Sequence, residues 1–201
     1  MSRGLFVVLE GGDACGKSTQ QRRLVEYLRS LGRDVVSTFE PGATAMGARI
    51  RELMLGGDEH VEPMAEALLM AADRAQHVAE VVLPALERGA DVVSDRFLPS
   101  SLAYQGVARE IGVDEVAEAN RFATRGLTPD LVIVVDVPEE VARERRSGRP
   151  DRMERESRAF HERVRQAYRD LAPRFGWAVV DGSDTPEEVA TRIHALVTRR
   201  I

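Results

Sequence analysis

Residues 5–18 read LFVVLEGGDACGKS, and this stretch decides how the chain folds. A short apolar run ends in two glycines and leads into a helical pattern, which predicts a buried strand, a turn and a helix. The turn matches G-x-x-x-x-G-K-[ST], whose glycines let backbone N–H groups approach phosphate oxygens. The helix that begins at Lys17 directs its positive end towards the same phosphates. The segment therefore predicts a nucleotide-binding P-loop.

The positions of this loop have distinct expected roles. The ammonium group of Lys17 would neutralise the β- and γ-phosphates of ATP, and the Ser18 hydroxyl would help to hold Mg²⁺. No base is evident beside Cys15 in the sequence, so we interpret it as a small loop residue rather than a nucleophile. A chance match is the alternative, and the complete motif in this strand-to-helix context argues against it. The expected ATP-binding residues are Gly11, Gly12, Asp13, Ala14, Cys15, Gly16, Lys17, Ser18 and Thr19.

Composition limits the class of protein. The chain has 201 residues, 43% of them hydrophobic and 30% charged, which is ordinary for a globular protein and predicts one domain over residues 1–201. A net charge of -5 argues against a nucleic-acid coat or a membrane-surface protein. No apolar stretch approaches the length that crosses a bilayer, and the single cysteine excludes an internal disulfide. We expect a cytoplasmic protein that binds neither nucleic acid nor membranes.

Strand and helix patterns alternate along the whole chain. Strands are predicted at 5–10, 34–39, 91–94, 131–135 and 177–180. Helices are predicted at 17–31, 45–55, 64–88, 102–124 with a break near Gly112, from 138 onwards, 153–172 and 186–199. Apolar strands separated by helices imply a parallel sheet covered by helices on both faces. The prediction is an α/β fold, a three-layer sandwich around a five-stranded parallel sheet.

Three classes of P-loop protein compete. A GTPase should carry N-K-x-D, but the only asparagine is Asn120, within the unrelated sequence ANRF. A motor-type ATPase should end an apolar strand in paired acids, whereas the candidate strand here ends in Asp95-Arg96. An arginine at that place suits a second anionic phosphate, because its planar fork binds phosphate bidentately. The pattern favours a small-molecule kinase.

A kinase of this kind also needs a cationic lid, and segment 141–153 is the candidate. Lids exclude water and bring positive charge to the transferred phosphate when they close. Ser147-Gly148 and Pro150 interrupt the cluster, which favours a mobile hinge over a continuous helix. Some of the arginines can instead form a solvated helix face, for example with a Glu139–Arg143 pair. The arginines of the segment are Arg143, Arg145, Arg146, Arg149 and Arg152.

Taken together, the motifs resemble those of thymidylate kinases over nearly the whole chain. The matching segments are EGGDACGKST (10–19), EPGAT (40–44), IREL (50–53), AADRAQH (71–77), DR (95–96), SSLAYQG (100–106), PDL (129–131) and DRMERE (151–156). Only the P-loop is specific alone, but the order and spacing make the set highly specific. The resemblance implies a P-loop nucleoside-monophosphate kinase fold, phosphorylation of dTMP with ATP and Mg²⁺, and a homodimer.

The resemblance also implies roles near the reacting phosphates. Arg51 and Arg96 resemble the arginines that grip the acceptor phosphate, and Asp13 resembles the acid near the sugar 3′-hydroxyl and the metal. Glu40 lies where the family keeps an acid near the phosphates, and Tyr104 where a tyrosine crowds the sugar 2′ position. Mg²⁺ would be held by Ser18 and, through a water, by Asp95. The expected catalytic residues are Lys17, Asp13, Arg96 and a lid arginine among Arg145, Arg146 and Arg149.

On the base side, the sequence departs from the family. Arg74 resembles the arginine that hydrogen-bonds the thymine carbonyl, and Ser101 and Gln105 fall where the family reads the base edge. Met70 stands where the family usually has a stacking phenylalanine, which should cost about 1 kcal/mol or less, and Phe39 replaces an arginine. Turn 181–185 resembles the adenine-binding turn, and His77 is expected to be a helix-face residue rather than a ligand. In isolation, Arg74 could also be a snorkelling arginine and Tyr104 a core residue.

Two other functions remain open from the sequence. The Met70 substitution leaves room for a kinase of another pyrimidine monophosphate, dUMP in particular. A non-catalytic nucleotide-binding regulator is the alternative from a different class, although the intact Lys17, Ser18, Asp95 and Arg96 speak against it.

Overall fold

The computed structural model describes residues 3–56, 60–146 and 150–201. Within these residues, five parallel strands form one sheet in the order β2-β3-β1-β4-β5. The strands are β1 Phe6–Glu10, β2 Val35–Phe39, β3 Asp91–Asp95, β4 Leu131–Asp136 and β5 Ala178–Asp181. The expected α/β class and five-stranded parallel sheet are confirmed. Strand β1 is central, so the loop that follows it emerges at the middle of the carboxyl edge, where ligands of open α/β sheets bind.

Helices cover both faces of the sheet. They are α1 Lys17–Ser30, α2 Ala45–Leu55, α3 Pro63–His77, α4 Leu83–Glu87, α5 Leu98–Ser101, α6 Val113–Ala123, α7 Glu139–Arg145, α8 Arg158–Phe175 and α9 Pro186–Thr198. Alternate residues of β1 face opposite cores because successive strand side chains point to opposite sides. Val7 and Leu9 pack with α1 and α9, whereas Phe6 and Val8 pack with the segment around α4. In the described ranges, no helix is long and apolar enough to cross a membrane.

The helix predicted at 64–88 is present but irregular. A π-helical turn at Val78–Val82 joins α3 to α4, and Pro84 follows in the first turn of α4. Proline has no N–H and its ring crowds the carbonyl four residues earlier. A wider turn at this point avoids the crowding, so Pro84 accounts for the irregularity.

The helical region predicted at 102–124 begins earlier than expected. It starts with α5 and continues as a π-helical segment, Leu102–Ala108. The predicted break is confirmed, because the chain leaves the helix after Ala108 and resumes with α6 at Gly112, whose φ of 117° is left-handed. Segments of π-helix are frequent at functional sites, and this one carries two of the expected acceptor-site residues.

The helix predicted at 153–172 starts five residues late. The Ser157 side chain caps α8 by accepting a hydrogen bond from the Phe160 N–H at 3.1 Å. Before it, Asp151 and Glu154 form a separate turn in which each carboxylate accepts from the backbone N–H of the other, at 2.9 and 3.0 Å. Side-chain capping therefore sets the start of α8, where helical periodicity alone suggested a longer helix.

Candidate active site

The P-loop adopts a conformation that only its glycines permit. Gly11 has a φ of 135°, and a Cβ placed there would lie 2.4 Å from the carbonyl oxygen of Val135. Gly16, the N-cap of α1, has a φ of 102°. Lys17 reaches back over the loop, and its Nζ donates to the carbonyl oxygens of Gly11 at 3.1 Å and Gly12 at 2.7 Å. The ammonium group therefore already lies over the loop that would hold the phosphates.

Oxygen groups suited to Mg²⁺ lie beside this loop. Ser18 Oγ donates a 2.7 Å hydrogen bond to Asp95 Oδ2 at the end of β3. Mg²⁺ keeps several waters and usually binds one or two protein oxygens together with substrate phosphates. The Ser18 hydroxyl and the Asp95 carboxylate fit this pattern. Among the described residues, no separate cluster of three His, Cys, Asp or Glu side chains could hold a metal ion.

A cleft of about 100 Å³ opens next to the P-loop. Its lining includes Asp13 of the P-loop and the apolar side chains of Met70, Leu55 and Met153. The structure brings all the acceptor-site residues expected from the sequence to its wall: Asp13, Glu40, Arg51, Met70, Arg74, Arg96, Ser101, Tyr104 and Gln105. The residues expected to bind the phosphate and those expected to bind the base thus share one cavity.

Arg96 connects the cleft to the P-loop. It lies directly after β3 with a φ of 73°, a conformation that costs energy for a residue with a side chain. Its Nη2 donates to Asp13 Oδ1 at 2.6 Å and its Nη1 to the Gly11 carbonyl at 3.1 Å. Tyr104 donates to the other oxygen of Asp13 at 3.0 Å.

The charge at Asp13 is stabilised by its neighbours. Burial opposes ionisation, but Arg96 and Lys17 outweigh it and hold the pKa of the Asp13 carboxyl below its usual value. Burial also raises the pKa of Tyr104 well above its usual value, so this hydroxyl stays protonated and can donate. The P-loop end of the cleft therefore holds a carboxylate between two fixed cations.

Glu10 positions the segment that carries Arg96, and the sequence analysis did not single it out. Its fully buried carboxylate accepts from the N–H groups of Phe97 at 2.8 Å and Ser100 at 3.2 Å. The hydroxyls of Ser100 and Tyr168 donate to its other oxygen at 2.7 and 2.8 Å. Burial raises the pKa of Glu10, although Arg96 opposes the rise. An acid that ends a buried strand immediately before the glycine turn was the available signal.

Arg74 is a buried, fixed donor in the wall of the cleft rather than a snorkelling side chain. It is only 2% exposed, and its Nε donates to Glu40 Oε2 at 2.8 Å. Its Nη1 bonds to Ser101 and Asn120, and its Nη2 donates to the Phe97 carbonyl at 3.0 Å. Asn120 was considered in the sequence only as a guanine-motif asparagine, and here its side-chain oxygen accepts from Arg74.

His77 belongs to α3, and both of its ring nitrogens contact protein oxygens. It is fully buried, with Nδ1 2.8 Å from Glu40 Oε1 and Nε2 2.6 Å from Thr38 Oγ1. Glu40 therefore divides its two oxygens between Arg74 and His77, and in this state neither is left for the phosphates. Its contact with the reacting groups stays a prediction.

Arg51 approaches the cleft from α2. Its Nη1 donates to the Pro41 carbonyl at 2.9 Å, in the loop after the cis Glu40–Pro41 peptide. The neighbouring Gly42 N–H donates to Asp73 Oδ1 at 3.0 Å. A Cβ at Gly42 would lie 2.9 Å from Arg51 Cδ, so this glycine leaves room for the arginine.

The arginines of segment 141–153 do not behave as one group. Arg145 donates to the Gly182 carbonyl at 3.1 Å, within the expected adenine turn. Arg146 pairs with Glu139 at 3.0 Å, so the helix pair anticipated between Glu139 and Arg143 is not the one observed. Arg149 lies outside the described residues. Arg152 is bound to the buried Glu66 at 2.8 Å.

A P-loop at the head of a parallel sheet, joined to an arginine-lined cleft, defines a nucleoside-monophosphate kinase. The family model described as thymidylate kinase matches residues 9–193. The chain is 51% identical to a thymidylate kinase of Leifsonia xyli subsp. xyli, covering 98% of this chain and 96% of the relative. It is 45% identical to one of Carboxydothermus hydrogenoformans, covering 93% of each. The chain belongs to the thymidylate kinase family.

Asp73 provides a test of the electrostatics around this site. Its side chain is buried, and burial together with the charge of Glu40 raises its pKa to about 6. Because the folded-state pKa lies above the usual 3.8, ionisation of Asp73 destabilises the fold as the pH rises through this interval. Asp73→Asn should therefore raise the melting temperature above pH 6, by about 2–4 °C for each kcal/mol recovered.

This gain in melting temperature should shrink below pH 4, because the wild-type Asp73 is then protonated and as neutral as the asparagine that replaces it. Thermal unfolding followed by circular dichroism across pH 4–8 measures it. Asp34→Asn is the matched control, because Asp34 is 71% exposed and lies 3.8 Å from Arg88. A pH-independent effect of Asp73→Asn would contradict this account of its charge.

Proposed function

We propose that the protein transfers the γ-phosphoryl group of ATP to the 5′-phosphate of dTMP, giving ADP and dTDP. The observation that carries the proposal is the single cleft in which Arg96, Arg51 and Arg74 face one cavity beside the P-loop. An acceptor nucleotide has a phosphate at one end and a base at the other. The cleft offers cations near the P-loop and a fixed donor near its apolar end, in the same order.

Positioning and charge neutralisation account for the chemistry. The acceptor phosphate is already anionic, so the reaction needs neither a general base nor a covalent intermediate. Arg96 and Arg51 hold the acceptor oxygen in line with the γ-phosphorus. Lys17 neutralises the charge that develops on the transferred group. The bond that forms joins the dTMP phosphate oxygen to the γ-phosphorus, and the bond that breaks releases ADP.

The cations of the site donate hydrogen bonds to protein oxygens. Lys17 donates to two loop carbonyls, and Arg96 donates to Asp13 and the Gly11 carbonyl. Phosphate oxygens make stronger charge-assisted bonds than neutral carbonyls do, so bound nucleotides would draw Lys17 away from the loop. Asp13 Oδ2, which accepts from Tyr104, can accept a second hydrogen bond from the sugar 3′-hydroxyl.

Magnesium fits the oxygen groups at the mouth of the loop. We propose that Ser18 holds it directly and that Asp95 holds it through a water. Once bound, the ion neutralises the β- and γ-phosphates. Lys17 and the backbone N–H groups of the loop orient those phosphates.

The arginines of the lid segment lie near different parts of the nucleotide site. Glu139, the partner of Arg146, lies beside the P-loop residues Gly11 and Asp13 in a small cavity, whereas Arg145 is held at the adenine turn. We propose that Arg146 or Arg149 moves to the γ-phosphate, and that Arg145 contributes at the nucleotide base. Closure would exclude water from the site.

The base end favours a thymine-like ring. Arg74 is fixed by four protein partners and lies in the wall of the cleft. Met70 is half-buried beside it and supplies a thioether where the family usually has an aromatic ring. Tyr104 lies between Asp13 and Arg96, where it crowds a ribose 2′-hydroxyl. Phe39 is 45% exposed at the end of β2, so it adds no cation to the phosphate end.

A substrate panel tests the proposal. In a coupled ADP-release assay with dTMP, dUMP, dCMP and UMP, dTMP should have the highest kcat/KM. Because Met70 replaces only the stacking part of the interaction, dTMP binding should be weakened by less than about tenfold. Lys17→Ala should abolish turnover with every acceptor. A preference for dUMP would favour the other pyrimidine kinase, and ATP binding without transfer to any acceptor would favour a regulator.

Single alanine variants test the lid. Replacement of the catalytic lid arginine should lower kcat by about 10³-fold or more, because such an arginine neutralises charge only in the transition state. Arg146→Ala and Arg149→Ala are the candidates for this loss, and Arg145→Ala should mainly raise the KM for ATP. The assay uses saturating dTMP. Rates within a few fold of the wild type for all three variants would contradict the lid assignment.

We further propose a homodimer in the cytoplasm. The family resemblance implies the dimer, and exposed apolar side chains on α3 and α6 support it, with Leu68 56% and Phe122 86% exposed. ATP as co-substrate and the buried free thiol of Cys15 suit a cytoplasmic setting. Sedimentation equilibrium, which separates a 22.2 kDa monomer from its dimer, tests the assembly.

A further inference from the structure

Glu66 lies behind the base end of the cleft and gathers three polar side chains. It is on α3 and fully buried. Gln105 Nε2 donates to its Oε1 at 2.8 Å. Arg109 donates to both oxygens at 3.2 and 3.3 Å, and Arg152 donates to Oε2 at 2.8 Å. One carboxylate therefore holds three side chains from two separate parts of the chain, Gln105 and Arg109 from one and Arg152 from the other.

The two arginines around Glu66 are themselves anchored. Arg152 Nε donates to the Met54 carbonyl at 2.6 Å, and Arg109 pairs with Glu156 at 2.6 Å. The guanidinium group of Arg109 also lies 4.6 Å from the centre of the Phe160 ring. These contacts leave Glu66 little freedom to move or turn.

The contact with Glu66 sets the direction of the Gln105 amide. An ion-paired carboxylate offers only lone pairs, so the NH₂ group of the glutamine must face it. The carbonyl oxygen Oε1 is then the group that Gln105 can present to the cleft, whose wall it forms. Across the same subsite, Arg74 can present only N–H donors.

The N–H donors of Arg74 and the acceptor Gln105 Oε1 match the hydrogen-bonding edge of a 4-oxo pyrimidine. Thymine and uracil carry a carbonyl at C4 and an N–H at N3, which pair with Arg74 and Gln105 Oε1. Cytosine carries an amino donor at C4 and an acceptor at N3. The amino group would face the N–H donors of Arg74, and N3 would face the acceptor Gln105 Oε1. Sites built to hydrogen-bond a particular pattern discriminate strongly, because a mismatch leaves buried polar groups unpaired.

We propose that Glu66 is a positioning residue that fixes the Gln105 amide with its oxygen towards the base and so selects 4-oxo over 4-amino pyrimidine monophosphates. The inference rests on the proposed function, since it concerns the acceptor of that reaction. Glu66 itself does not touch the acceptor. It acts through Gln105.

The test is the ratio of kcat/KM for dTMP to that for dCMP. Glu66→Gln retains the size of the side chain but lets both amides rotate, so the ratio should fall by at least tenfold, through a lower value for dTMP and a higher one for dCMP. Arg109→Gln is the matched control. It removes another partner of Glu66 and leaves the Gln105 contact, so the ratio should stay within about threefold of the wild type.

Gln105→Leu keeps the inference falsifiable if Glu66→Gln does not fold. It removes the oriented amide, so the ratio should fall as it does in Glu66→Gln. In the double variant, Glu66→Gln should cause no further fall. An unchanged ratio in Gln105→Leu, or in a folded Glu66→Gln, would overturn the inference. Wild-type protein that does not phosphorylate dTMP would instead overturn the proposed function.

Discussion

The ion pair between Asp13 and Arg96 is the contact on which the rest of the site depends. It joins the P-loop to the acceptor cleft with a 2.6 Å hydrogen bond, and both residues lie in conformationally constrained loops. An arginine with a positive φ after β3 and a carboxylate within a glycine turn can meet only if β1 and β3 are neighbours in the sheet. The parallel pairing of these strands therefore determines where the two nucleotides can meet.

Buried carboxylates hold two arginines and one glutamine of the site in place. Glu10 fixes the segment that carries Arg96, Glu40 fixes Arg74, and Glu66 fixes Gln105. Charged groups buried in this way are costly unless each is paired, so the arrangement stabilises one geometry of the site rather than the fold in general. Preorganised charge of this kind is what phosphoryl transfer requires.

The sequence predicted the fold and the wall of the cleft, because these follow from local patterns and from a motif set of known order. It did not reveal Glu10, Glu66 or Asn120 as parts of the site. Their roles come from contacts across 39 to 158 positions of the chain, which local propensity cannot indicate. The π-helical turn at Val78–Val82 and the late start of α8 were missed for the related reason that single prolines and caps override helical periodicity.

The central claim is that two anionic nucleotides meet between the P-loop and the arginines of the cleft. A crystal structure with dTMP, Mg²⁺ and a non-hydrolysable ATP analogue tests it most directly. The account predicts the dTMP phosphate within hydrogen-bonding distance of Arg96 and Arg51, and Lys17 Nζ moved from the Gly12 carbonyl to the analogue's phosphates. Both arginines turned away from dTMP, or dTMP bound outside the cleft, would contradict it.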